Sequence, residues 1–109
     1  MREVKQFTEE AFLEAFIFQL KTRCISFADI APTEREFTES IKPFIESADM
    51  MFIAHFIGEE TYSKCRNLYT GVCARSEELL HNVKAVNSYF EVMENDNGGN
   101  AGETGSLIG

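Results

Sequence analysis

Between Met1 and Glu94 the chain holds two glycines, Gly58 and Gly71, and two prolines, Pro32 and Pro43. Short strands need a turn every few residues, and turns are built on glycine and proline. So long a stretch with so few breakers has to be made of helices. The other five glycines all follow residue 97. From Asn95 onward the chain is rich in Asn and Gly and has almost nothing to bury before Leu107 and Ile108. The expected organisation is one helical domain over 1–94 and a disordered tail over 95–109. Such a tail could act as a linker carrying Leu107 and Ile108 to a partner.

The most apolar window is Met50-Met51-Phe52-Ile53-Ala54-His55-Phe56-Ile57, with one polar side chain in eight. A membrane-spanning helix needs about 20 apolar residues, so lipid is excluded as its shield. The expectation is a core helix with the others wrapped around it. Ten phenylalanines and no tryptophan mean a core built on Phe, with Met and Ile as filler.

Thr8 is a good N-cap with Glu9 and Glu10 behind it, and Phe7 could staple against the first turn. Phe12, Ala15, Phe16 and Leu20 follow at helical spacing, which predicts a helix over about 8–24. Leu13, Ile17 and Phe18 widen its apolar surface beyond one stripe, so it must be covered on more than one side. Residues 24–32 carry no helical signal of their own and read as a connector, with Ile25, Phe27 and Ile30 laid against the body. Thr33-Glu34-Arg35-Glu36 is a capping box. From it Phe37, Ile41, Phe44, Ala48, Met51 or Phe52, and His55 continue one stripe to Ile57, with Gly58 as the stop. Pro43 falls inside, which predicts a kink at 39–43 or two helices. After Gly58 the helical period holds from Tyr62 to Met93, as one helix or as two with a break near 71–76. No internal repeat is visible. The expected fold is an all-α bundle of three to five helices around the 44–57 element.

The net charge is −8, of which Asp96 and Glu103 supply −2 and the body −6. That sign argues against direct binding to nucleic acid or to an anionic membrane. It permits a basic protein partner, or mimicry of a nucleic-acid backbone. However, the acids cluster as Glu9-Glu10, Glu34/Glu36, Glu59-Glu60 and Glu77-Glu78, each at an expected helix start. Negative charge there complements the helix macrodipole, and this is the preferred account of the acidity. Lys21 and Arg23 stand near the expected end of the first helix, the complementary arrangement. Cys24, Cys65 and Cys73 form no CxxC pair, and Glu3, Glu9, Glu10 and Glu14 interrupt any signal-peptide core. Both features predict a cytoplasmic protein whose cysteines are small core residues.

Four acids have a spacing that suggests metal chemistry. Glu36-x-x-Glu39 and Glu46-x-x-Asp49 resemble the paired carboxylates with which all-α nucleotide pyrophosphatases hold magnesium. Magnesium needs its oxygens within about 2 Å of one point, so these pairs work only if the chain folds back at Pro43. Cys65, Cys73 and His81 are spaced by eight residues. That is about 12 Å of helix rise, too far for neighbours to share one zinc. His55 reads as a hydrogen-bonded core or interface histidine and His81 as a face-edge residue. Cysteine nucleophile chemistry would need a nearby base that the sequence does not place. There is no glycine-rich phosphate loop, and the basic residues are scattered.

No catalytic, cofactor or metal residue is therefore assigned. The favoured function is a non-enzymatic interaction protein (an adaptor, inhibitor or assembly factor) acting through apolar helix faces. The rivals are a small metal-dependent hydrolase using Glu36, Glu39, Glu46 and Asp49, and an acidic nucleic-acid mimic. The apolar residues left over after each helix has filled its inward stripe are Leu13, Ile17, Phe18, Met50, Ile53 and Ile57. They predict an interface with a protein partner, in the first instance a homodimer.

Overall fold

The computed structural model describes residues 7–98, with side chains to Glu94. Among them run five helices: α1 (Glu9–Ile30), α2 (Glu34–Ile53), α3 (Glu59–Ala74), the single turn α4 (Ser76–Leu79) and α5 (Val83–Gly98). The chain is an all-α bundle. Helical backbone reaches four residues into 95–109; the rest of that segment, with Leu107 and Ile108, lies outside the described residues.

Most helix starts follow local chemistry. The Thr8 hydroxyl accepts from Ala11 N–H at 3.0 Å, and the Thr33 hydroxyl from Glu36 N–H at 3.1 Å. Asn82 caps α5 in the same way, its carbonyl oxygen accepting from Ala85 N–H at 3.1 Å. Phe7 packs on Phe12, ring centroids 6.3 Å apart, as a hydrophobic staple. The clustered acids fall in the first turns of α1, α2, α3 and α4.

Helix ends depart from the sequence reading. α1 does not stop near residue 24; the expected connector is its last two turns. Phe16, Leu20, Cys24 and Ala28 form one buried stripe at spacing four, and no breaker occurs before Pro32. Ala31 then turns extended (ψ 133°), as the residue before a proline must. Lys21 and Arg23 are therefore mid-helix. Arg23 donates to the Ser40 carbonyl at 3.1 Å and lies over the Phe27 and Phe44 rings.

α2 runs through Pro43 as one helix. The proline and Glu39, whose carbonyl loses its amide partner, are both exposed, so water can take the orphaned acceptor. α2 ends at Ile53, four residues before the expected limit, because His55 adopts a left-handed φ of 69°. His55 N–H donates to the Phe52 carbonyl at 3.0 Å and Phe56 N–H to the Met51 carbonyl at 2.9 Å. That pair of bonds is a Schellman ending with histidine where glycine is usual. The 59–94 stretch divides within the expected break at 71–76 and again at 80–82, so it holds three helices where one or two were expected. His81 takes the second left-handed turn (φ 61°), and its N–H donates to the Ala28 carbonyl at 2.7 Å. One of the last four carbonyls of α1, which have no partner inside their own helix, is satisfied by this bond.

The organising helix is α1, not the 44–57 element. It packs against α2, α3 and α5, covered on several sides as its broad apolar surface required. Leu20, Cys24 and Ala28 are fully buried with Phe37, Ile41 and Ala48 of α2, Cys65, Leu68 and Val72 of α3, Leu79 of α4, and Val86 and Phe90 of α5. Small residues on α1 and α2 let the helices approach closely. At about 25 cal/mol per Å² of apolar area, the largest buried side chains, Phe37 and Phe90, each contribute more than their smaller neighbours. Most of the 50–57 run lies instead at or near the surface, where α2 ends and turns towards α3, and only Ile57 of it is buried.

Candidate interaction surface

Residues Met50, Ile53 and Phe56 are 69%, 73% and 58% exposed. Met50 and Ile53 are one helical turn apart on α2 and therefore neighbours. Pro43, Glu46, Ser47, Met50, Met51, Ala54 and Phe56 line a groove of about 510 Å³ beside them. Phe56 continues the apolar surface towards the start of α1, its ring 6.0 Å from Phe7. Phe7 meets Phe12, and Phe12 meets Phe16 at 6.4 Å, so a chain of aromatic rings connects this surface to the core.

The base under the surface is fixed by polar contacts. Gly58 starts α3 without a side chain of its own to cap it. The cap comes from α1, where Glu9 Oε1 accepts from Gly58 N–H at 3.0 Å. The Thr61 hydroxyl and this amide hold the Glu9 carboxyl below the usual carboxylate range. On the other flank Phe52 stacks on Tyr62, centroids 4.3 Å apart and planes 5° from parallel. The Tyr62 hydroxyl donates to Asp49 Oδ1, which raises the tyrosine pKa. Arg66 stands 3.7 Å from the same carboxylate. The end of α2 is thus pinned to α3 through Asp49 and Phe52.

The six residues singled out in the sequence do not form one surface. Ile57 is 3% exposed, carried inward by the turn at His55, and so is withdrawn from any surface set. Leu13 and Ile17 are half-buried against the core. Phe18 is 68% exposed and lines two smaller grooves, one with Glu14, Ile17, Lys21 and Glu94 and one with Arg23 and Phe44. Met50 and Ile53 are both exposed on α2. Phe7, Phe56 and Glu9 were not foreseen as parts of this region. Their association depends on α1 and α3 starting side by side, which no spacing reveals.

The four carboxylates proposed for magnesium are not brought together. Because α2 is continuous across Pro43, Glu36 and Glu46 are about 15 Å apart along its axis. Glu39 pairs with Arg35 at 3.2 Å, and Asp49 is held by Tyr62 and Arg66. Among the described residues no three His, Cys, Asp or Glu side chains are grouped to hold a metal ion. Burial pushes the Cys24 and Cys65 thiols up to about 12, leaving them protonated and unreactive at neutral pH. His55 and His81, expected in a core or at a face edge, are exposed turn residues. No described helix is long and apolar enough to cross a membrane.

Comparison of the chain with protein-family models, with curated proteins and with solved structures finds no match.

Proposed function

We propose that this chain is a protein-binding module that docks a partner on the exposed end of α2. The observation that carries this reading is the exposure of Met50, Ile53 and Phe56 beside an apolar groove, on a base pinned by the Asp49–Tyr62–Arg66 contacts. Scattered apolar residues on a surface need no explanation, but contiguous apolar patches usually mark an interface. Two methionines in the lining make the surface adaptable to the shape of an apolar partner. Rigid support beneath a patch lowers the entropy lost on binding.

The test is capture from the source cell by the wild-type chain and by two variants. Met50→Ser/Ile53→Ser changes only exposed side chains of the patch, and Val92→Ser changes an exposed apolar side chain on α5. Proteins held by the wild type and by Val92→Ser but lost from the double variant place docking on α2. Retention of the same proteins by all three chains overturns the reading.

A further inference from the structure

The nature of the partner can be taken one step further, and this step rests on the docking reading above. We infer that the α2 surface receives a basic amphipathic helix, with an apolar stripe on Met50, Ile53 and Phe56 and lysines or arginines flanking it.

Acidic side chains gather in the groove and at the Phe56 end of the patch. Glu46 lines the groove. Glu9 lies against Gly58, so Glu9 and Glu10 of α1 and Glu59 and Glu60 of α3 stand at the same end of the bundle as Phe7 and Phe56. All five are exposed. Asp49 is matched by Arg66, and Lys64, 3.7 Å from Glu60, is the one base paired to the five among the described residues. The N-termini of α1 and α3 offset about one unit of this negative charge, and the C-terminus of α2 adds about half a unit. The helix-end role of these acids therefore cancels only part of the field, and the apolar patch keeps negative charge in its groove and at its Phe56 end.

A second copy of the chain fits this surrounding poorly. A two-fold contact through the patch would bring its acids near those of the second copy, and like-charge juxtaposition across an interface is costly. A helix with apolar and basic faces satisfies both features: its apolar stripe enters the groove along α2, and its rim charges meet Glu46, Glu10, Glu59 and Glu60. Attraction between the two rims would also speed encounter at low salt.

The experiment titrates the full chain against three fluorescent 18-residue peptides. One is a Leu/Lys amphipathic helix, one a Leu/Glu helix with the same apolar face, and one a Ser/Lys peptide without an apolar face. Saturable binding of Leu/Lys is expected, weakening with salt. The Leu/Glu and Ser/Lys peptides should each bind at least tenfold more weakly. Met50→Ser/Ile53→Ser should weaken Leu/Lys at least tenfold, Glu46→Gln/Glu59→Gln should weaken it and flatten its salt dependence, and Val92→Ser should leave it unchanged. Equal binding of Leu/Glu overturns the basic partner and leaves the docking surface standing. So does failure of all three peptides with a sedimentation mass near twice that of the monomer that Met50→Ser/Ile53→Ser halves, which assigns the surface to a second copy. Leu/Lys binding untouched by the patch variants overturns the inference by placing the attraction elsewhere. If no peptide binds, the chain sediments as a monomer and capture is unaltered in the double variant, the docking reading falls too.

Discussion

The Tyr89 hydroxyl occupies the place where residue 71 would carry a β-carbon, and it can do so because residue 71 is glycine. The ring enters from α5, is buried, and donates its hydroxyl to the Leu68 carbonyl of α3 at 3.0 Å. In an exposed helix interior, alanine in place of glycine would gain about 1 kcal/mol. Here a β-carbon at 71 would also stand 3.1 Å from Tyr89 Cζ and 3.3 Å from Cε1, so the rigid ring must move. Gly71→Ala should therefore destabilise the fold, by about 1–3 kcal/mol as for other overpacked sites, measured by urea unfolding. In a Tyr89→Phe background the same substitution should cost less, because the clashing oxygen is gone. Equal costs in both backgrounds would show that the two residues are not coupled.

His55 ends α2 in a conformation that costs a residue with a β-carbon about 1–2 kcal/mol. Its side chain is exposed at the turn. His55→Gly is expected to stabilise the protein by about 0.5–1 kcal/mol, after the greater entropy of glycine in the unfolded chain is subtracted. A rise in the urea midpoint with an unchanged slope is the expected reading. A fall would mean that the imidazole contributes more than the turn strains.

Glu9 gives the fold an acid-sensitive contact. Its folded pKa lies below the ordinary value of 4.5 because the Thr61 hydroxyl and Gly58 N–H favour the carboxylate. A carboxyl depressed in the folded state contributes stability above its unfolded pKa and loses it as pH falls through the folded value. Glu9→Gln should therefore melt below wild type at pH 7, and the gap should narrow from about pH 4.5 downward. A gap of constant size down to pH 2 would show that the charge on Glu9 is not what stabilises the contact.

The two phenylalanines Phe37 and Phe56 should separate core from surface. Phe37 is fully buried, and Phe37→Ala should cost about 3–5 kcal/mol. Phe56 is more than half exposed, and its loss should stay within about 1 kcal/mol in thermal or urea unfolding. Comparable losses at the two positions would return the 50–57 run to the core.

Helix starts were legible because they are local. Thr8, Thr33 and the Ser76-Glu77-Glu78 cluster mark real beginnings, and each needs only residues within one turn. Ends were less legible. The last turns of α1 are carried by Cys24 and Ala28, too small to stand out against Ile25 and Phe27, and α2 stops on a histidine where glycine would have announced the turn. Hydropathy also misplaced the centre. It ranks Met50–Ile57 above every other window, yet close helix approach puts cysteine and alanine in the middle and leaves the large residues at the α2 end outside. For the candidate surface, Met50 and Ile53 could be found by asking what exceeds one inward stripe. Ile57 could not be excluded that way, since a single positive φ two residues earlier decides which way it points. Phe7 and Glu9 join the region only through tertiary packing.

The contact between Glu9 and Gly58 also bears on how the bundle opens. α1 and α2 carry threonine caps of their own and α5 has Asn82, so those helices can close their first turns from within. α3 borrows its cap from a residue 49 positions earlier in the chain. Hydrogen exchange at the start of α3 is then governed by whether the first turn of α1 is closed, and fraying at the one should release the amides of the other together. A peptide spanning only 58–74 would lack that cap and begin to wind less readily than one spanning 33–53. The starts of α1 and α3 are thus expected to open together, and a ligand seated across them would hold both shut.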